Sequence, residues 1–335
     1  MSRIYLICAA ESEAEPYRIA QGHFDTGLTK RGLRQAEALE KRFADVPVDM
    51  VYSSDLYRAY TTANAISKAK GLTIFRRKDL REIFLGVWEG KPWGNIAYDK
   101  RREVERFRSA PGSWNIGGAE TPVEAAERLL SALREIAVQA DGQTVVVVSH
   151  SVVIQLALGV LRDIPLSEIR PLPPEQYTAV SVLSMEGGEL CLLSEQNTEH
   201  LSSPEYLAQE RPRREFGFDT DLYIQQMHWV EYSSIMAQAV EYVREESGED
   251  RPFDSNRLIG DAAMFPATIA YAEYEPAGFL QVGLDPSWIT LICTHPGCRG
   301  VGLGTQLVGQ AVLSAREKGL DELQSRKIID CWDNA

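Results

Sequence analysis

The chain has 335 residues, 44% of them hydrophobic and 25% charged, with a net charge of −13 and a pI near 5.0. That length suits two domains of ordinary size, and the acidic balance argues against a general nucleic-acid binder while leaving room for a local basic pocket. No apolar run reaches membrane-spanning length, and the opening MSRIYLICAAESEAE turns acidic too soon for a secretory signal.

These features predict a cytoplasmic protein with neither a membrane nor a nucleic acid as partner. The five cysteines, Cys8, Cys191, Cys293, Cys298 and Cys331, are scattered. No second pair completes a zinc spacing, so reduced thiols and no metal are expected.

In chain order, Ile4–Cys8 reads as a first strand. Arg31–Phe43 is an amphipathic helix entered at Thr29, a good N-cap. Met50–Tyr52 is a short strand, Asp55–Lys70 a helix and Leu72–Phe75 strand-like. Leu80–Gly90 reads as a loop holding Arg81, Glu82 and Glu89. Pro122–Ala140 is a strong helix, and the β-branched run TVVVVS at Thr144–Ser149 a central parallel strand. Ser151–Leu161 is helical again. Val180–Leu183 and Glu189–Leu193 flank Gly187-Gly188 as a hairpin. Strands alternating with helices predict an α/β layered domain over residues 1–194.

From Glu195 to Tyr232 the composition turns polar and charged, broken by Pro204 and Pro212, and reads as a linker with some order at Leu207, Phe216 and Phe218. Residues 233–335 form the second predicted domain. Ser233–Glu246 is a helix. Thr268–Tyr274 and Gly278–Val282 are strands joined by Glu275-Pro276-Ala277, leading into the strand Ile289–Cys293. A glycine-rich loop then opens a helix that begins at Thr305.

In the first domain the polar groups gather at the carboxyl ends of strands, where open α/β sheets place their sites. His150 ends TVVVVS, Ser53-Ser54 ends the second strand, Arg58 follows on the next helix and Glu82 lies in the loop after Leu80. Such a set suits a phosphate pocket, with Arg58 on the oxygens and Glu82 as proton donor. Singly, a histidine at a strand end and an arginine on a helix have structural readings.

The segments Gln21–Thr29 (QGHFDTGLT), Tyr52–Ala59 (YSSDLYRA), Leu80-Arg81-Glu82, Trp88-Glu89-Gly90 and Val148-Ser149-His150 resemble the histidine phosphatase (phosphoglycerate mutase-like) superfamily. The resemblance implies a three-layer α/β fold and a histidine nucleophile that takes up the phosphoryl group. It implies phosphate binding by Arg58, a second active-site histidine at His150 and a proton donor at Glu82. Where the family has Arg-His-Gly, this chain has Cys8-Ala9-Ala10 followed by Glu11. Ala9 stands at the nucleophile's place, and Cys8 replaces a phosphate-binding cation. Loss of the nucleophile costs on the order of 10⁴–10⁶ in rate. Strand alternation turns the Cys8 side chain away from the nucleophile's place, and His23 has a structural reading. The expectation is a remnant pocket of Glu11, Arg58, Glu82 and His150, able to hold a phosphate ester.

The second motif is ITLICTHPGCRGVGLGT, Ile289 to Thr305, in the order strand, glycine-rich loop, helix. Helix N-terminal N–H groups lack intrahelical partners and attract anions, and glycine lets a ligand approach the backbone. Spacing alone leaves an anion site and a plain turn equally open. Arg299, Gly302 and Gly304 resemble the acyl-CoA loop of the GNAT acetyltransferase superfamily. The resemblance implies acetyl-CoA as co-substrate, its pyrophosphate on Arg299, Gly300, Val301, Gly302, Leu303, Gly304 and Thr305, and its pantetheine along the strand at Ile292 and Cys293. Asn334 matches an asparagine that often follows the next strand, Ile328–Trp332.

The family's further helix and strands are missing after Ala335, so a mixed α/β GNAT-like domain, incomplete at the C-terminus, is expected. A partner covering the bare edge of Ile328–Trp332 is the other explanation. The implied reaction is acyl transfer to a small-molecule or peptide amine, with Glu273 and Glu275 in the region of the base. Two alternatives stand beside it: phosphoryl transfer by unorthodox residues, and a non-enzymatic sensor of a phosphorylated metabolite and a CoA ester.

Overall fold

A computed structural model describes residues 2–169, 177–208, 221, 223–226, 267–272, 275–282, 288–294, 302–320 and 323–325. By internal contacts the chain divides into two compact units. One comprises Met1–Glu15, Ala20–Gly90 and Lys100–Pro212; the other comprises Pro16–Ile19, Lys91–Asp99 and Arg213–Ala335.

The first unit is built on six strands: β1 (Arg3–Cys8), β2 (Met50–Ser54), β3 (Ile74–Arg77), β4 (Thr144–Ser149), β5 (Val180–Glu186) and β6 (Glu189–Asn197). Their order is β3-β2-β4-β1-β5-β6, with the first four parallel and β5 and β6 antiparallel. Its main helices are α1 (Lys30–Arg42), α2 (Tyr57–Lys70), α3 (Trp93–Ser109), α4 (Pro122–Gln139), α5 (Ser151–Leu161) and the short α6 (Pro204–Leu207). The first turns of α3 fall in the other unit, and the helix is kinked at Lys100.

The local reasons are visible in the sequence. Thr29 caps α1 by accepting from the Gly32 N–H. Thr121 and Glu124 form a reciprocal capping box at α4, followed by Pro122 at the first helical position. β1 and β4 are buried along their apolar runs, as strands covered on both faces must be. Ile7, Leu39, Phe43, Val51, Ala63, Ile66, Val146 and Val148 share one core with Ala9. The tight β5–β6 turn needs Gly187 and Gly188 at φ of 60° and 92°, a region that disfavours any side chain.

The second unit holds a sheet of β7 (Tyr223–Gln226), β8 (Ala267–Ala272), β9 (Glu275–Val282), β10 (Trp288–Thr294) and β11 (Gln324–Ser325), in the order β11-β10-β9-β8-β7. All pairs are antiparallel except β10–β11. The helix α7 (Leu303–Glu317) buries Leu303, Leu307 and Ala311 in a core with Leu280, Ile289 and Ile292.

Several expectations are corrected. The stretch read as a linker from Glu195 contains the end of β6, a 3-10 turn at Glu199–Ser202, α6 and β7. Glu275–Ala277 lies inside β9 rather than in a turn. α3 had no counterpart, because its charged run DKRREVERFR interrupts the apolar period. The expected helix Ser233–Glu246, the strand Ile328–Trp332, Glu273 and Asn334 lie outside the described residues. Among the described residues no helix is long and apolar enough to cross a membrane.

Candidate active site at the strand ends and candidate anion loop

The register of β1 against β4 sets Cys8 beside Ser149. Ala9 and His150 therefore follow at adjacent strand ends, and the Ala9 N–H donates to the Ser149 carbonyl at 2.9 Å. Thr62 of α2 accepts the next N–H, from Ala10, at 3.0 Å. Ala9 contributes a methyl group where the resemblance calls for an imidazole, and it packs into the apolar core with Ile7.

Cys8 is buried, and burial pushes its thiol up to about 12, with Glu82 adding to the shift. It stays a neutral thiol at physiological pH, whereas a nucleophile needs the thiolate.

Arg58 is buried and heavily engaged. Its Nε donates to His150 Nδ1 at 3.2 Å, and its two terminal nitrogens reach Phe24 O at 3.0 Å, Asp25 Oδ1 at 3.1 Å and Gly22 O at 2.7 Å. The loop giving those oxygens is held by Glu89, whose carboxylate accepts the N–H groups of Gly22, His23, Phe24 and Leu85. Asp25 also accepts from the Tyr57 N–H at the start of α2. Sequence reading quoted Asp25 and Glu89 inside their motifs without a role; a carboxylate beside a glycine-containing loop was the available signal.

His150 is 3% exposed. Its Nδ1 accepts from Arg58, so the proton of the neutral ring sits on Nε2. That Nε2 is a buried donor with no partner among the described residues. Burial and the neighbouring Arg58 hold its pKa well below the ordinary histidine value, so the ring is neutral. An orphaned buried donor beside an arginine calls for an oxygen acceptor.

Glu82 is placed differently from a free proton donor. Its carboxylate accepts the N–H groups of Ile83, Val152 and Val153 at 2.9, 3.0 and 2.8 Å and the Ser151 hydroxyl at 3.3 Å. It caps the N-terminus of α5 across the fold. Burial raises its pKa, opposed by those three backbone bonds. Glu11 is buried against Arg31 at 2.9 Å and Thr29 at 2.8 Å, so it fixes the entry to α1. His23 has the structural role expected, with Nε2 3.0 Å from Glu82 O and its ring 5.0 Å from that of Phe84. The structure thus brings Arg58 and His150 together and gives Glu11 and Glu82 capping and pairing roles.

In the second unit, Gly302 precedes α7 at φ 81°, a conformation open to glycine, and no side chain among the described residues caps the helix. The first intrahelical donor is Gln306, to Gly302 O, so the N–H groups of Leu303, Gly304 and Thr305 have no acceptor within the helix. A Cβ on Gly304 would meet Thr294 Cγ2 at 3.7 Å, which sets this turn against the end of β10. Ile292 is buried, and Cys293 lies in β10. Arg299, Gly300 and Val301 lie outside the described residues.

Comparison with known proteins matches each half. The family model for the histidine phosphatase superfamily (branch 1) covers residues 4–198, and that for the acetyltransferase (GNAT) family covers 223–328. Phosphoserine phosphatase 1 of Hydrogenobacter thermophilus is 30% identical over 201 residues, 60% of this chain and 95% of the relative. A probable phosphoglycerate mutase, GpmB of Yersinia pestis, is 28% identical over 165 residues, 49% of this chain and 77% of its own. Among solved structures, YhfR of Bacillus stearothermophilus is 29% identical at a TM-score of 0.57, covering 60% of this chain and 100% of its own. A histidine-to-alanine mutant of the Entamoeba histolytica phosphoserine phosphatase, in complex with phosphoserine, is 25% identical at 0.52, with the same coverage. The chain belongs to the histidine phosphatase superfamily (branch 1) and carries a GNAT acetyltransferase domain after it.

Proposed function

We propose that this protein is an acetyl-CoA-dependent N-acetyltransferase whose phosphatase-like unit binds a phosphate ester without hydrolysing it. The observation that carries the first part is the start of α7 behind Gly302, uncapped by any described side chain, inside the region matched by the GNAT family. The N–H groups of Leu303, Gly304 and Thr305 fit a pyrophosphate, since helix N-termini accept anions through such groups. Bound there, acetyl-CoA supplies the activated acyl thioester. The chain's part is to hold that group, orient an amine against it and offer backbone N–H groups to the developing oxyanion. The acceptor is a small-molecule or peptide amine. The test is release of free CoA thiol from acetyl-CoA in the presence of a panel of amines. Amine-dependent release supports the transferase; none with any amine, from protein that binds acetyl-CoA, argues against it.

The second part rests on Ala9 and on the orphaned Nε2–H of His150. Pocket donors for a phosphate oxygen remain, while the nucleophile's place holds a methyl group and the adjacent thiol is neutral. The Entamoeba relative solved with alanine for histidine and phosphoserine bound supports binding without turnover. The expected result is phosphoserine binding that Arg58→Gln abolishes, with no phosphate released. Release abolished by His150→Ala would instead establish phosphoryl transfer by unorthodox residues.

A further inference from the structure

The cations that act most strongly on His150 among the described residues are Arg58, Arg128 and Arg81. Each already faces a carboxylate: Arg58 meets Asp25 at 3.1 Å, Arg128 meets Glu120 at 2.6 Å and Arg81 meets Asp55 at 2.6 Å. His23, also near, is held below the ordinary histidine value by burial and is neutral at pH 7. Cys8 stands where the resemblance has a phosphate-binding cation, and its thiol is neutral. We infer, given the phosphate-ester reading of this pocket, that its ligand is singly charged: a phosphodiester in preference to the dianion of a phosphomonoester.

Among these groups no positive charge is left for a second negative charge to meet. Glu82 and Glu89 also act on Arg58, and their carboxylates accept backbone N–H groups. Burial raises the pKa of Glu82, so it brings one negative charge or none. A charge repelled inside a buried pocket is weakly screened, and a dianion meets that repulsion twice over.

The hydrogen-bond donors lead to the same ligand. A guanidinium has five N–H groups, and four of those on Arg58 are engaged: one on His150 Nδ1, one on Phe24 O, one on Asp25 Oδ1 and one on Gly22 O. One N–H of Arg58 is left, together with the buried Nε2–H of His150, which has no partner among the described residues. Two donors match in number the two unesterified oxygens of a phosphodiester and fall short of the three on a monoester dianion. Asp25 sets the preference. Its carboxylate cancels the charge of Arg58 and also accepts the Tyr57 N–H.

The test is calorimetric binding of phosphoserine and of its methyl phosphodiester to the full chain, from about pH 5 to about pH 8. A phosphomonoester loses its second proton near about pH 6. If the monoanion binds, the apparent affinity for phosphoserine should fall with the monoanion fraction, about a hundredfold over that range. The diester keeps one charge throughout. Titration of Asp25, Glu82 or His150 would move both ligands alike, so the ratio of the two affinities isolates the proton on the ligand. Asp25→Asn keeps an oxygen for Arg58 and the Tyr57 N–H but removes the charge. It should raise phosphoserine affinity near the upper end of the range about tenfold, and diester affinity by less. A phosphoserine affinity that holds level or rises with pH relative to the diester, or an Asp25→Asn variant that strengthens both ligands equally, would overturn the preference and leave the phosphate-ester site in place. Binding of neither ligand at any pH, by well-folded parent protein, would remove the phosphate-ester reading and the preference with it.

Discussion

Removing the Glu82 carboxylate tests whether that group is structural. Glu82→Ala strips the acceptor from three backbone N–H groups, those of Ile83, Val152 and Val153, two of them in the first turn of α5. Each buried donor left unpaired costs about 1–3 kcal/mol, so the loss should be at least about 3 kcal/mol from a total on the order of 5–15 kcal/mol. Glu82→Gln keeps one carbonyl oxygen and should cost roughly half as much. The sign with pH is set by the raised pKa. The folded chain holds this proton more tightly than the unfolded chain, so the contribution of Glu82 to stability is greatest below the ordinary value of 4.5 and declines as pH rises through the raised value. Glu82→Gln removes that decline. The assays are urea unfolding at several pH values and hydrogen exchange at the Val152 and Val153 amides. A loss below about 1 kcal/mol with those two amides still protected would show that the carboxylate does not cap the helix.

Three further outcomes follow from the same geometry. His150 and His200 both have folded pKa values below 6.5, that of His200 about 4, so the unfolded chain takes up protons first as pH falls. Stability should drop between pH 6.5 and 4, by about 3 kcal/mol for His200 over that window, and His200→Gln should flatten that share of the acid limb. Gly32→Ala sets a Cβ 2.1 Å from Glu11 O, so it should destabilise the first unit by about 1–3 kcal/mol in thermal unfolding. Restoring the family pattern with Cys8→Arg and Ala9→His should raise phosphoserine hydrolysis by several orders of magnitude, about 10⁴; an unchanged rate in folded protein would mean that Arg58 and His150 are no longer set for transfer.

The first unit was the more legible half because its signals are local and repeated. TVVVVS needs no partner to read as a buried strand, and Thr29 and Thr121 announce their helices by capping chemistry. Strand order put Arg58 and His150 at one sheet end before any distance was known. What stayed hidden depends on contacts distant in sequence. Glu82 finds the start of α5 70 residues away, and Arg58 is held by carbonyls 34 and 36 residues earlier. The left-handed Thr178 and its hydrogen bond with His200 have no sequence signature, since threonine at such a position is chosen by its surroundings. α3 escaped because its apolar positions are few and its charges many. In the second unit the strand-loop-helix order was legible from glycines and periodicity. The resemblance, rather than the spacing, turned that loop from a turn into a candidate acyl-CoA site.

Calorimetric binding of acetyl-CoA, compared with the same measurement on Gly304→Glu, tests the central claim most directly. A side chain at Gly304 meets Thr294 only at ordinary contact distance, and a glutamate in a helix's first turn favours folding, so this variant should keep its structure. Its carboxylate would stand among the N–H groups proposed for the pyrophosphate. Binding by the parent chain that falls at least about tenfold in the variant is the predicted result. Equal binding by both, or none by well-folded parent protein, would contradict the assignment of the start of α7 as the acyl-CoA site.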